Sequence, residues 1–211
     1  MVRAVMGGGT VDRRTDTREA IRSVALEQFG ERGYERTSLR ELAERLRITK
    51  AAVYHHFATK EDILASLAGE FTAPVDELLA WGNAQRPGPD TRRELLRRYA
   101  ELLAGRHGRL VRFLDSDRAG LRDMPAVLEV YRRLDGLCTL LTSGGPTFAP
   151  GRPADPAAAL RARLSLSALH SGSASGSAAG ADPRGSAAAG QVSADELRDA
   201  ALAVACELVD R

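Results

Sequence analysis

The chain has 211 residues, of which 44% are hydrophobic and 27% charged, with a formal net charge of +2. That length builds one or two domains with real cores. The mean hydropathy is −0.24 and no run approaches about 18 apolar residues, which argues against a membrane-spanning helix. Two cysteines, Cys138 and Cys206, are too few for a disulfide framework or a four-ligand zinc site, and the start carries no signal-like apolar run. The expected setting is the reduced cytoplasm, with no membrane partner.

Charge placement is more informative than charge total. Only two of the 30 basic residues are lysines, Lys50 and Lys60, and both fall within residues 36–60. That stretch holds six basic and two acidic side chains, a net +4, whereas residues 66–211 hold 18 of each sign. A neutral body with one small basic patch suits a local anionic partner. A solvated helix face that happens to be basic is the plainer reading.

Residues 1–15 are glycine-rich and basic without periodicity, and read as a disordered arm. With Arg3, Arg13, Arg14 and Arg18 in or beside it, such an arm could reach a minor groove. Ile21, Val24, Ala25, Leu26 and Phe29 then mark the apolar stripe of a first helix that ends at Gly30 and Gly33. Ser38 and Glu41 form a capping-box start for a short second helix through Leu39, Leu42, Ala43 and Leu46. Thr49 caps a third helix to about Phe57. Thr59, Lys60, Glu61 and Asp62 open a fourth, which Pro74 should break or bend.

Beyond the Pro87-Gly88-Pro89 turn, Asp90 or Thr91 should cap a helix carrying Leu95, Leu96, Tyr99, Leu102 and Leu103. A shorter helix is expected around Leu110–Leu114, and another from Pro125 to Leu141. Residues 144–156 read as a loop. Asp155-Pro156 starts a further helix, and Ser193 caps the last. Between them, 17 of the 20 residues from Ser171 to Gly190 are Gly, Ser or Ala, a composition expected of a flexible linker outside the core. No segment alternates at period two long enough for a sheet. The fold class is all-α.

The third helix carries the functional pattern. At 100° per residue, Val53 and Phe57 share one side, while Ala51, Ala52, Tyr54 and His55 point broadly the other way. Two tiny side chains let a helix backbone approach a groove floor, and their methyls can touch thymine methyls. Tyr54, His55, Lys50 and Lys60 can hydrogen-bond phosphates. The amides behind Ser38 and Thr49, with Thr37 alongside, can do likewise.

Residues 16–66 resemble the TetR-type transcriptional regulators. The matching strings are Thr37-Ser38-Leu39-Arg40-Glu41-Leu42-Ala43, Ile48-Thr49-Lys50-Ala51-Ala52-Val53-Tyr54-His55-His56-Phe57 and Thr59-Lys60-Glu61-Asp62-Ile63-Leu64, preceded by Ala25–Tyr34. The resemblance implies a three-helix helix-turn-helix DNA-binding domain over 16–66 and a helical effector-binding and dimerisation domain over 67–211. It implies a repressor that binds a palindromic double-stranded operator as a homodimer and is released by an unidentified small-molecule effector. Two departures stand out. Arg47 occupies the turn where the family has glycine, so strain or an altered turn is expected, with a phosphate contact as compensation. The 171–190 segment interrupts the region that would form the dimer bundle.

Within the second domain, Phe71, Trp81, Tyr99, Phe113, Met124 and Tyr131 are the candidates for lining an effector pocket, although each also reads as ordinary core. His55 and His56 point about 100° apart on a helix and make a poor metal pair. His107 and His170 look isolated, and Asp115-Ser116-Asp117 reads as solvated or arginine-paired. No catalytic array, metal set or cofactor motif emerges. The alternative function is a helical small-molecule-binding or interaction module without operator binding. The joint presence of Lys50, Tyr54 and Lys60 speaks against it.

Overall fold

The computed structural model describes residues 9–143, 155–173 and 193–210, with side chains described from Asp16 onward. Residues 1–8 of the expected arm, the loop over 144–154 and residues 174–190 of the Gly/Ser/Ala segment lie outside the described residues. The described residues are helical throughout, with no strand, and divide into two compact units, Met1–Leu67 and Ala68–Arg211.

The first unit contains α1 (Gly9–Arg32), α2 (Leu39–Leu46), α3 (Lys50–His56) and the opening turns of α4 (Lys60–Ala84). Helix α1 begins at Gly9, inside the stretch expected to be an arm. Extending a formed helix by a residue costs far less than nucleating one. Its apolar stripe is buried as the periodicity requires: Ile21, Ala25, Leu26 and Phe29 meet Leu39, Leu42 and Ala43 of α2, Val53 of α3, and Ile63, Leu64 and Leu67 of α4 in one core. Gly33 leaves α1 at φ 89°, a conformation that glycine adopts without steric cost.

The caps are those the sequence predicts. Glu41 N–H donates to Ser38 Oγ at 3.2 Å and Ser38 N–H to Glu41 Oε2 at 2.8 Å. Ala52 N–H donates to Thr49 Oγ1 at 3.2 Å. Thr59 and Asp62 make a reciprocal pair at the start of α4, at 2.9 and 3.1 Å. Each satisfies amides that a helix start leaves unpaired.

The second unit contains the rest of α4 and α5 (Pro89–Leu102), α6 (Arg106–Ser116), α7 (Arg118–Leu121), α8 (Pro125–Ser143), α9 (Pro156–Gly172) and α10 (Ala194–Asp210). Pro74 does not break α4, which runs through it. Phe71, Val75 and Leu78 are buried on either side, and their burial outweighs the roughly 3 kcal/mol that an interior proline costs. Helix α5 starts at Gly88-Pro89, not at Asp90 or Thr91: proline at the first position needs no N–H and has a helical φ built in. The Thr91 hydroxyl instead donates to the Arg86 carbonyl at 2.7 Å. Helix α7, a single turn, has no separate signal in the sequence.

Helices α9 and α10 form the most extensive pairing of the unit, and α5, α6 and α8 pack against one or both. Gly172 explains part of the closeness. A β-carbon there would overlap the Ala201 methyl. The first residues of the Gly/Ser/Ala segment are therefore packed helix end and not linker: α9 includes Ser171 and Gly172, and Gly172 is buried.

Candidate nucleic-acid interface

Helix α3 is seven residues long, and Val53 is the residue it buries. Phe57, which caps it, is buried with Val53 in the core of the unit. Lys50, Ala51, Tyr54 and His55 face solvent, Tyr54 at 47% exposure, and Ala52 and His56 are half-buried. Lys50 Nζ lies 5.3 Å from the Tyr54 ring centroid, so the ammonium and the phenol form one exposed cluster at the start of the helix. A short helix with an apolar inside and a small, polar outside is thus held up to solvent on the α1–α2–α4 scaffold.

Arg47 adopts φ 54° and ψ 39°, the left-handed conformation that its place in the turn demands. The Arg47 N–H donates to the Glu44 carbonyl at 3.2 Å and the Ile48 N–H to the Ala43 carbonyl at 3.0 Å. This is a Schellman ending, in which the left-handed residue is usually glycine. The backbone of α2 therefore stops as it would with glycine, and an exposed guanidinium is added to the turn.

The basic patch separates into paired and unpaired cations. Arg40 Nε sits 2.8 Å from Glu44, and Arg45 Nη2 sits 2.8 Å from Glu27 of α1. Among the described residues no ion pair or hydrogen bond engages Arg47, or Arg36, a residue for which the sequence alone suggests no contact. Arg36 is exposed two residues before the Ser38 cap, and that position is the signal for it. Lys60 is half-committed: its Nζ donates to the Tyr34 carbonyl at 2.8 Å and lies 4.4 Å from the Tyr34 ring centroid. Two of its three N–H donors remain.

Thr37 differs from the rest of the expected set. It is buried, and its hydroxyl donates to the Gly33 carbonyl at 3.0 Å, so its side chain shapes the α1–α2 connection from inside. The Ser38 hydroxyl and amide hold the Glu41 carboxyl below the usual carboxylate range. The cap is thus fully charged at neutral pH and weakens only as the pH falls through that lowered value.

In the second unit, Phe71, Tyr99 and Phe113 are buried, whereas Trp81, Met124 and Tyr131 are half-buried. The Tyr131 hydroxyl donates to the Leu114 carbonyl at 2.9 Å, and Arg98 stacks 4.1 Å from the Trp81 ring. His170 is not isolated. Its Nε2 is 2.8 Å from the Tyr99 hydroxyl and its Nδ1 is 2.8 Å from Asp115 Oδ2, so three helices meet at one buried imidazole. Burial pushes the Cys138 thiol up to about 11 and raises that of Cys206, and neither thiol is activated.

A helix-turn-helix unit carrying a solvent-facing third helix, followed by a separate helical unit, defines the fold class. Residues 21–67 match the family model described as bacterial regulatory proteins, tetR family. The chain is 39% identical over 64 residues to the HTH-type transcriptional repressor BepR of Brucella suis biovar 1, covering 30% of this chain and 31% of that protein. It is 38% identical over 64 residues to the A-factor receptor protein of Streptomyces griseus, covering 30% and 23%. The match thus spans about a quarter to a third of the length of these relatives. Among solved structures, the ketosteroid transcriptional regulator KstR2 of Mycobacterium tuberculosis shares the fold, with a TM-score of 0.60 at 20% identity and 97% coverage of each chain. AibR, solved in complex with isovaleryl coenzyme A and operator DNA, superposes with a TM-score of 0.58 at 21% identity over 88% of this chain and 95% of that one. The likeness to the tetR family thus lies in residues 21–67, within the first unit.

Proposed function

We propose that this protein is a cytoplasmic, ligand-responsive repressor that binds an imperfect palindromic operator as a homodimer and is released by a small-molecule effector held within residues 68–211. The observation that carries the reading is the outer face of α3, where Lys50, Ala51, Tyr54 and His55 are exposed beside the unpaired Arg47. Ala51 and Ala52 would let the helix backbone approach base edges, while Tyr54 and His55 supply hydrogen bonds across the groove. Lys50, Arg47, the free donors of Lys60 and the amides behind Ser38 and Thr49 would hold phosphates. Thr37 would contribute by fixing the start of α2.

One reading helix meets too few base pairs for useful specificity, so two copies are required. Leu160 and Leu164 on α9 and Leu197 and Val204 on α10 remain exposed even though these helices pack on each other. They supply the apolar face for a second copy, with Leu202 and Leu208 half-buried behind it. Phe71, Trp81, Tyr99, Phe113, Met124 and Tyr131 provide the aromatic and apolar surface an effector would meet. The coenzyme A thioester bound by AibR supports a small organic effector as the class.

Selection of duplexes from a randomised pool by the purified chain, followed by footprinting, tests the reading. The expected footprint is two-fold symmetric, with half-sites about one helical turn apart or a multiple of it. Protection of a single asymmetric half-site by a monomer, or no selection at all, would overturn it.

A further inference from the structure

Arg18 lies on α1 and is exposed, as a residue of a DNA-seeking arm would be. Its guanidinium is nevertheless engaged from three directions. It lies 4.4 Å from the centroid of the Phe57 ring. Nη1 donates to the His56 carbonyl at 3.2 Å, and Nη2 reaches Ser66 Oγ of α4 at 3.5 Å. One turn later Arg22 Nη1 also donates to Ser66 Oγ, at 3.2 Å.

His56 is the last residue of α3, and its carbonyl is among those a helix cannot satisfy internally. Arg18 supplies the missing donor from a different helix. It also places a positive charge at the end where the helix dipole is negative. A helix of seven residues has no stability of its own and takes its direction from what it touches. Within α3 the buried anchor is Val53 alone. Val53 and the buried Phe57 cap anchor its apolar side, and the clamp adds a polar tether at the far end, tying the His56 carbonyl and the Phe57 ring to α1 and α4.

The geometry points to Arg18 as a positioning residue for DNA recognition. It sets the angle at which α3 is presented, and its charge is spent on the protein and not on phosphate. This rests on α3 being the reading helix, as proposed above. It also gives Arg18 a different role from the groove-reaching arginine the sequence suggests.

The test uses the full chain and the duplex that the wild type recovers from a randomised pool, with Arg18→Ala and Arg18→Lys compared well below their melting temperatures and corrected for active fraction. Arg18→Ala should weaken binding to the selected duplex about five- to tenfold while changing binding to a scrambled duplex less than twofold. The slope of log affinity against log salt should not change. Arg18→Lys keeps the charge but not the planar fork, and should recover part of the loss. A loss shared equally by both duplexes, with a salt slope lower by about 1, would make Arg18 a phosphate contact and overturn the assignment. An unchanged affinity of the folded fraction would make Arg18 merely structural and would overturn the assignment as well.

Hydrogen exchange without DNA provides an independent arm. The Phe57 amide should exchange about tenfold faster in Arg18→Ala than in the wild type, and unchanged exchange would refute the clamp. Should the wild type select no duplex, the operator reading fails while the exchange result still decides the clamp. If Arg18→Ala does not fold, Phe57→Leu removes the ring beneath the guanidinium while keeping an apolar plug, and should show a smaller loss of the same kind.

Discussion

Removing one oxygen, in Tyr99→Phe, should cost the second unit about 2 kcal/mol. The magnitude follows from hydrogen-bond bookkeeping around His170. In the neutral imidazole, the Nδ1 that faces the acceptor-only Asp115 carboxylate at 2.8 Å carries the hydrogen, and Nε2 is the acceptor. The Tyr99 hydroxyl, 2.8 Å away, is the donor that satisfies it. Tyr99 is 1% exposed and burial drives its pKa well above the ordinary value, so it remains a donor at any working pH. In the variant the ring still fills its place, but Nε2 is stranded on a residue only 7% exposed. A buried polar atom left without its partner costs about 1–3 kcal/mol. With a urea dependence of about 1–3 kcal/mol/M, the midpoint should fall by roughly 1 M. Trp81, the single tryptophan, lies in the same unit and reports its unfolding by fluorescence. A double-mutant cycle with His170→Leu isolates the pair: the double variant should lose little more than either single one, a coupling of about 1 kcal/mol or more. Strictly additive losses, or a Tyr99→Phe midpoint equal to wild type, would refute the arrangement.

Three other outcomes are expected. Arg47→Gly should raise the stability of the first unit by about 1 kcal/mol by relieving the left-handed conformation, and should lower the salt slope of operator binding by about 1 if the guanidinium meets phosphate. A thermal melt with an unchanged or lower midpoint would contradict the strain. Ala52→Glu should abolish operator binding in an anisotropy titration while leaving the melt intact, because it places a carboxylate at the groove floor; retained affinity would show that α3 is not the reading helix. Cys138, with its thiol pushed up to about 11 from an ordinary 9.0, should react about a hundredfold more slowly with iodoacetamide at pH 8 than an ordinary thiol, accelerating as the pH rises toward 11. Rapid labelling at pH 8 would contradict its burial.

What was legible in the sequence was what local chemistry decides. Ser38 with Glu41, Thr49, Thr59 with Asp62, Asp155, and Ser193 with Glu196 each bond within a few residues of themselves, and each starts a helix where the pattern places it. The Arg47 conformation follows only from the resemblance, whose glycine at this turn implies strain or an altered turn; the structure keeps the turn and shows positive φ. Pro74 was misleading because its local cost is real, while the burial that outweighs it comes from residues elsewhere in the chain. His170 looked isolated because Tyr99 and Asp115 are 71 and 55 positions away. The sequence groups Arg18 with the arm because its partners, His56 and Ser66, are 38 and 48 positions away.

The same distinction changes what the basic patch means. By composition, the six cations of residues 36–60 are equivalent. In the fold, Arg40 and Arg45 are neutralised by Glu44 and Glu27, and Lys60 gives one donor to the Tyr34 carbonyl. Arg36, Arg47 and Lys50 keep their charge for solvent or a partner. A phosphate contact requires a cation whose neutralisation releases a counterion, and an arginine already facing a carboxylate releases less. The patch is therefore smaller than its formal charge, and it is concentrated along the lead-in to α2, the turn and the first residue of α3. Those are the places from which a short helix can be lowered into a groove with phosphates on either side. Arg18 and Lys60 brace that helix and its scaffold from behind.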